Sequence, residues 1–525
     1  MRPNVASQRH WHPADSQISE APHSAPNRIE WLIDNSEAYE SLVHAIGGAR
    51  ESIWISQLAF DADCRVYAGD NTRSGADTRG ESLLAAILAA SEQHRVSVKI
   101  LLNSTLLLNT RRPLLRSLSE RKIDPELVEV RGISRFPQLL HAKMVIVDGR
   151  RAFIIGSPFV NGYWDTPSHH PLDARRPPRE LSGRPVHDVS MGVRGPAVRD
   201  LAERFARLWN GARDVGPRLG TSPIKAHSVN RTAAEPGVEV VTTEPRGGWR
   251  SDDPGSSDTL DALLAGIQRA RSLIYIEHQY LSSRPVAKEL RRALEREPAL
   301  EIILLLNQNP DVTAYRRWQN ARLADAGLRT HPRVGVFALW TAAPRTEAGL
   351  LINQVFVHSK VVIVDDEWAM VGSANLDGAS LDSYGDDFTG RLARRIFRNV
   401  RNFDVSLVFT SANPTGAANP IRQLRERLWT EHLGLGLLSL EGRERDGLTV
   451  WKRRGSENVS ALNSQRWNEG TAIGRSFILP YSSRPTPRAQ LAEVGVRPST
   501  PISLDFDPGW LEVNFSPNWI RNMFL

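Results

Sequence analysis

His141, Lys143 and Asp148 are spaced H-x-K-x-x-x-x-D, and His358, Lys360 and Asp365 repeat that spacing in the second half of a 525-residue chain. The flanks repeat as well, HAKMVIVDGRRAFIIGS against HSKVVIVDDEWAMVGS. Each reads as an apolar strand with a polar pair at its start, then a turn, a second apolar strand and Gly-Ser. A chain with two such halves is constrained to fold twice in the same way. Its two histidines can then meet across a pseudo-twofold axis. Lysine occurs at only seven positions while arginine is abundant. One chance match to the spacing has an expectation of roughly 0.01 in such a chain, so two with the same flanks are not accidental. A lysine kept at both places points to a need for a compact point charge and not a planar fork.

The repeat extends beyond the motifs. ARESIWISQLAF from Ala49 corresponds to ARSLIYIEHQYL from Ala270, and VSVKILLNS from Val96 to EIILLLNQN from Glu301. The latter two place asparagines at Asn103 and Asn307. HDVSMGVRG from His187 corresponds to FDVSLVFTS from Phe403, and amphipathic helical segments with Trp209 and Trp429 follow. Strands alternating with helices predict an α/β layered fold with a mixed sheet in each half. The expected divisions are a loose arm over 1–27, a first half over 28–211, a linker over 212–236, a second half over 237–434 and an extension over 435–525. The extension has no counterpart in the first half and reads as mostly irregular structure.

Net charge of +7 and a pI near 9.7 favour an anionic partner without choosing among phospholipid, nucleic acid and phosphorylated metabolite. Cys64 is the sole cysteine, which excludes an intrachain disulfide and a cysteine zinc site. No apolar run has the length of a membrane-spanning helix, and the first residues lack the apolar core of a secretory signal. The expected location is cytoplasmic or peripheral to a membrane, with export lacking a standard signal as the alternative.

Alternate strand residues face one side, so His141 and Lys143 project together, as do His358 and Lys360. Asp148 and Asp365 fall at hairpin turns. Gly156-Ser157 and Gly372-Ser373 return beside the histidine–lysine pairs, where small residues would let a phosphate approach. Neutral imidazole can attack phosphorus and imidazolium can protonate an alkoxide. Two lysines would neutralise the phosphoryl oxygens, so no metal or other cofactor is expected. Asp188 and Asp404, at matching positions, are candidates to hold the histidine rings. His278 reads as a core or substrate histidine. His169 and His170 lack an evident third ligand for a metal. Trp54, Trp164 and Trp368 read as packing residues.

The duplicated motif, the Gly-Ser after it, IYIEHQYL, GYWDTPSHHPLDARR and LRERLWTEHLG resemble the phospholipase D superfamily over about residues 28–434, and phospholipase D proper more than its nucleases. The resemblance implies two similar α/β/α halves with mixed β-sheets, a pseudo-twofold pseudo-dimer with one active site, acting as a monomer. It implies a phosphohistidine on His141, with His358 as acid and then base. Lys143, Lys360, Ser157, Ser373 and Asn375 would bind phosphate, Asp188 and Asp404 would orient the histidines, and Asp148 and Asp365 would complete the motifs. Aligned on Gly-Ser, Phe159 falls in the place of Asn375, with Asn161 as a substitute. The implied function is hydrolysis of a glycerophospholipid at a membrane surface to phosphatidic acid and a head-group alcohol, with transfer to other alcohols. The alternatives are a cardiolipin synthase-like phosphatidyltransferase and a nuclease acting on nucleic acid.

Overall fold

Two sheets share one strand order. The computed structural model describes residues 27–67, 80–105, 108–134, 138–176, 184–212, 237–247, 254–310, 313–345, 349–381, 402–411, 418–434, 447–464, 476–497 and 502–504, with Phe388, Arg391, Leu392, Arg395, Asn413, Thr415 and Gly416. Nearly all of the expected arm and linker lie outside these residues.

The first sheet runs in the order Arg28–Ile33, Val189–Arg194, Arg151–Ile154, Met144–Val147, Ser52–Ser56, Ser97–Asn103, Val128–Ile133. The second repeats it as Val238–Glu244, Asn402–Thr410, Trp368–Gly372, Lys360–Val364, Leu273–His278, Glu301–Leu306, Val334–Arg345. In each, the motif hairpin is antiparallel and the strand beside it begins a parallel stretch. The sheets are therefore mixed, as the alternation of elements predicts.

The motif strands are apolar on both faces because both faces are covered. Met144 and Ile146 join Val361 and Ile363 in one core that spans the two halves. Val145 and Val147 turn to the outer helices of the first half, and Val362 and Val364 to those of the second. The helices Ala197–Gly211 and Pro420–Leu433 contribute to the shared core through Leu201, Phe205, Trp209, Leu424, Leu428 and Trp429. The second helix starts on proline, and the Asn419 side chain accepts from the Ile421 N–H at 3.1 Å.

The extension differs from expectation. Its described residues include the 18-residue helix Gly447–Ser464, the strand Ser476–Pro480 and the helix Pro487–Glu493. The strand pairs antiparallel with Phe337–Thr341, so the extension completes a sheet edge. Leu462, Phe477, Leu479 and Leu491 close a separate apolar core against Trp340 and Ile352.

Two short parallel ladders join the halves. Leu139–Leu140, just before His141, pairs with Asn402 and Phe403, just before Asp404. Val186–His187, just before Asp188, pairs with Phe356–Val357, just before His358. The backbone N–H of His141 donates to Phe403 O at 3.0 Å, and that of His358 to His187 O at 2.7 Å.

Candidate active site

Continuing each ladder by one residue sets a motif histidine opposite an aspartate of the other half. His141 Nδ1–H donates to Asp404 Oδ1 at 2.7 Å, and His358 Nδ1–H to Asp188 Oδ2 at 2.8 Å. Both aspartates are fully buried. An acceptor on Nδ1 fixes the tautomer that leaves the Nε2 lone pair for chemistry. The pairing is crossed, each histidine resting on a carboxylate contributed by the opposite half. The sequence offered both aspartates without assigning them.

The lysines are buried beside the histidines. Lys143 Nζ donates to His141 O at 3.2 Å, and Lys360 Nζ donates to His358 O. Burial and the neighbouring Lys360 push Lys143 down to about 7. Burial and Lys143 push His141 down to about 4, against the pull of Asp404. Burial and Lys360 push His358 down to about 3, against Asp188. His141 also feels Lys360 and His358 feels Lys143, so the two pairs form one electrostatic centre. The lysine ammonium groups, whose charge offsets the buried carboxylates of Asp188 and Asp404, are the donors that an anionic guest would meet.

Two asparagines hold the strands that carry this centre. Asn103 Nδ2 donates to Leu58 O at 3.0 Å and Leu140 O at 2.9 Å, while its Oδ1 accepts from Leu140 N at 2.9 Å. Asn307 does the same with Gln279 O, Val357 O and Val357 N. Each clamps the residue before the motif histidine.

Several expected roles change. Asp148 and Asp365 are not in the site; they lie five residues beyond the lysines, roughly 16 Å along an extended strand. The Asp148 carboxylate accepts from the backbone N–H groups of Arg50, Glu51 and Ser52 at 2.7–2.9 Å. Asp365 accepts from those of Arg271, Ser272 and Leu273 at 2.6–2.9 Å. Both aspartates sit in the left-handed region at φ 52° and 53°. They tie the hairpin turn to the start of the adjacent strand. Ser157 and Ser373 donate their hydroxyl protons to Asp188 and Asp404, the latter at 2.8 Å, so they support the aspartates and have no proton left for a phosphate. The glycines make room for protein: a Cβ on Gly156 would stand 2.0 Å from Asp188 Oδ1, and one on Gly372 2.2 Å from Ser406 Oγ.

Phe159 is not the counterpart of Asn375. It forms a parallel bridge with Phe60, as Leu376 does with Leu281, so Phe159 matches Leu376. The first half is one residue short there, with Pro158 alone between Ser157 and Phe159 where the second half has Ala374 and Asn375. Asn161 is no substitute, because its Oδ1 accepts from Arg65 N at 2.7 Å and its Nδ2 donates to Asp63 O at 3.2 Å. Asn375 is 6% exposed and its buried Oδ1 has no partner among the described residues.

A second buried cluster lies between the halves. Asp34, His169, His187 and Glu431 bring one ligand atom each within 4.8 Å of one another, and His187, Glu277 and His432 do likewise. These residues can hold a divalent cation. Without one, Glu277 accepts from His187 Nε2 at 2.8 Å and His432 Nε2 at 2.9 Å. Burial would lower His169, yet Asp34, Asp165 and Glu431 hold it up at about 10. Asp34 and His169 both have positive φ. His169 thus finds carboxylate partners, Asp34 and Glu431, that its local sequence lacked. They come from distant segments and from the other half. His170 points away, its Nδ1 accepting from Leu172 N at 3.2 Å.

A duplicated α/β chain whose one buried centre takes a histidine, a lysine and an aspartate from each half defines a pseudo-dimeric class. The model described as "Cardiolipin synthase, PLD-like domain" matches residues 263–388, and that described as "Phospholipase D" matches residues 351–454. Both models are of phospholipase D-like domains, and together they span residues 263–454. It is 25% identical to phospholipase D A of Dictyostelium discoideum over 56% of this chain and 27% of that protein. It is 25% identical to phospholipase D alpha 1 of Cynara cardunculus over 56% of this chain and 49% of that protein. The chain thus spans half or less of the length of these relatives. A phosphatidylserine synthase from Haemophilus influenzae Rd KW20 superposes with a TM-score of 0.49 at 13% identity, over 83% of this chain and 97% of that one.

Proposed function

We propose that the chain cleaves the distal phosphodiester of a glycerophospholipid through a phosphohistidine on His141. The observation that carries this reading is the crossed pair of histidines set around two buried lysines. His141 keeps 7% exposure and His358 only 1%, which favours His141 as the group that meets substrate first. In the first step His141 Nε2 bonds to phosphorus while the head-group oxygen leaves with a proton from His358. In the second, His358 takes a proton from water, whose oxygen bonds to phosphorus as the phosphorus–nitrogen bond breaks. Another alcohol in place of water gives transfer. The phosphate anion between the lysines offsets their push on His358, so this histidine holds its proton in the complex.

Among the described residues the exposed large hydrophobics are Leu172 at 51%, Phe388 at 72% and Leu392 at 45%. All three lie in the segments that follow Gly-Ser in each half. Apolar side chains facing water suit a lipid surface better than a polynucleotide. No helix among the described residues is long and apolar enough to cross a membrane.

Incubation with a phospholipid panel, with and without ethanol, read by mass spectrometry beside a DNA substrate, tests this reading. Phosphatidic acid without ethanol and phosphatidylethanol with it are expected. DNA cleavage with intact lipids would overturn it. In the free enzyme Lys143 must stay charged and His141 neutral. For a soluble activated substrate, whose leaving group needs no proton from His358, kcat/KM should therefore fall above about pH 7 as Lys143 loses its proton and below about pH 4 as His141 gains one. A profile flat from pH 6 to pH 9 would remove Lys143 from phosphate binding.

A further inference from the structure

Gln57 and His278 occupy the same position in the repeat, in ISQLAF and IEHQYL. Both are buried, at 0% and 1% exposure. Neither Gln57 Oε1 nor Nε2, nor either ring nitrogen of His278, has a hydrogen-bond partner among the described residues. Two unsatisfied polar side chains at symmetry-related places are a costly arrangement for an empty protein. A core that needed only volume would use leucine at both.

Their placement says what they await. His278 lies directly opposite Lys360 in the antiparallel register. The first-half register ends with Ser56 opposite Met144, so its next step sets Gln57 opposite Lys143. Directly opposed residues project to the same face with their Cβ atoms about 5 Å apart. Each unsatisfied side chain therefore stands beside the lysine of its own motif. The asparagine clamps fix these positions: Asn103 holds Leu58, the residue after Gln57, and Asn307 holds Gln279, the residue after His278.

We propose that Gln57 and His278 are substrate-contacting residues, each donating a hydrogen bond to an oxygen of the phosphoryl group held between Lys143 and Lys360. This inference rests on the phosphodiesterase reading above and adds the donors that the serine hydroxyls do not supply. The Gln57 amide gives an N–H. Burial and the nearby Lys360 keep His278 far on the neutral side, which leaves one ring N–H to give. One amide and one imidazole at matching positions also make the two sides of the phosphate unequal.

Inorganic phosphate is the probe, used as an inhibitor of cleavage of a soluble activated phosphodiester. Gln57→Leu and His278→Leu should each raise the inhibition constant of phosphate about 10- to 100-fold and lower kcat/KM by a similar factor. The thermal midpoint of each free variant should equal or exceed that of the natural protein, and the rise on adding phosphate should shrink. His278→Gln and Gln57→His each install the residue already used by the counterpart. Both should bind phosphate within about threefold of the natural protein. Leucine variants with a lowered midpoint and an unchanged inhibition constant would make the pair packing residues and overturn the proposal. If the natural protein cleaves and binds phosphate and the leucine variants match it, this inference alone fails. If the natural protein does neither, the phosphodiesterase reading fails with it.

Discussion

His358→Ala protein mixed with an activated phosphodiester should gain the mass of the substrate less its leaving group, a phosphoryl ester mapped to His141, while turnover falls at least about 10³-fold. A good leaving group needs no acid, so the first step survives without His358. The second does not, because nothing takes the proton from water. His141→Ala should gain no mass, since it lacks the nucleophile. The near-symmetry of the two motifs makes this a sharp test. Asn375 on one side and Pro158 on the other make the site unequal, so the roles should not exchange. An adduct on His358 in the His141→Ala protein, with none on His141 in the other variant, would show the roles reversed.

Asparagine in place of the buried aspartates should reveal the crossing. Asp404→Asn removes the charge behind His141 and should slow adduct formation by about 10³-fold, although Asp404 belongs to the other half. Asp188→Asn removes the charge behind His358 and should let a phosphoryl adduct accumulate on His141, because breakdown becomes the slow step. Quenched-flow sampling of the protein mass separates the two. The opposite pattern with the adduct still mapped to His141, Asp188→Asn blocking formation and Asp404→Asn allowing accumulation, would contradict the crossed assignment. Glycines cannot be traded to compensate, because Asp188 occupies the space beside Gly156.

Much of this was legible because the chain repeats. The matching apolar runs gave both sheets their strands, and strand alternation put each histidine beside its lysine. Asn103 and Asn307 were visible as matched positions, though their clamping role was not. What stayed hidden is what depends on contacts between distant segments. Asp404 meets His141 across 263 residues and Asp188 meets His358 across 170, through ladders only two residues long. Such ladders leave no periodic trace. His169 finds Asp34 and Glu431 only after the halves dock. The motif aspartates were legible as hairpin-turn residues, but not the three backbone N–H groups that each accepts from the adjacent strand. A one-residue deletion placed Phe159 against Asn375 in an ungapped alignment, whereas the bridge to Phe60 set the true register. The C-terminal strand Ser476–Pro480 is five residues among glycines and prolines, and only the open edge at Phe337–Thr341 makes it a strand.

The crossed pairs also constrain how molecules get in and out. Many two-part enzymes admit substrate by swinging apart like jaws. Here each reactive ring is fastened to the far jaw by its own aspartate and by the backbone ladder beside it. Swinging open would break both pairs at once and bury no charge in return. The centre therefore stays assembled throughout the cycle, and traffic must pass over its rim.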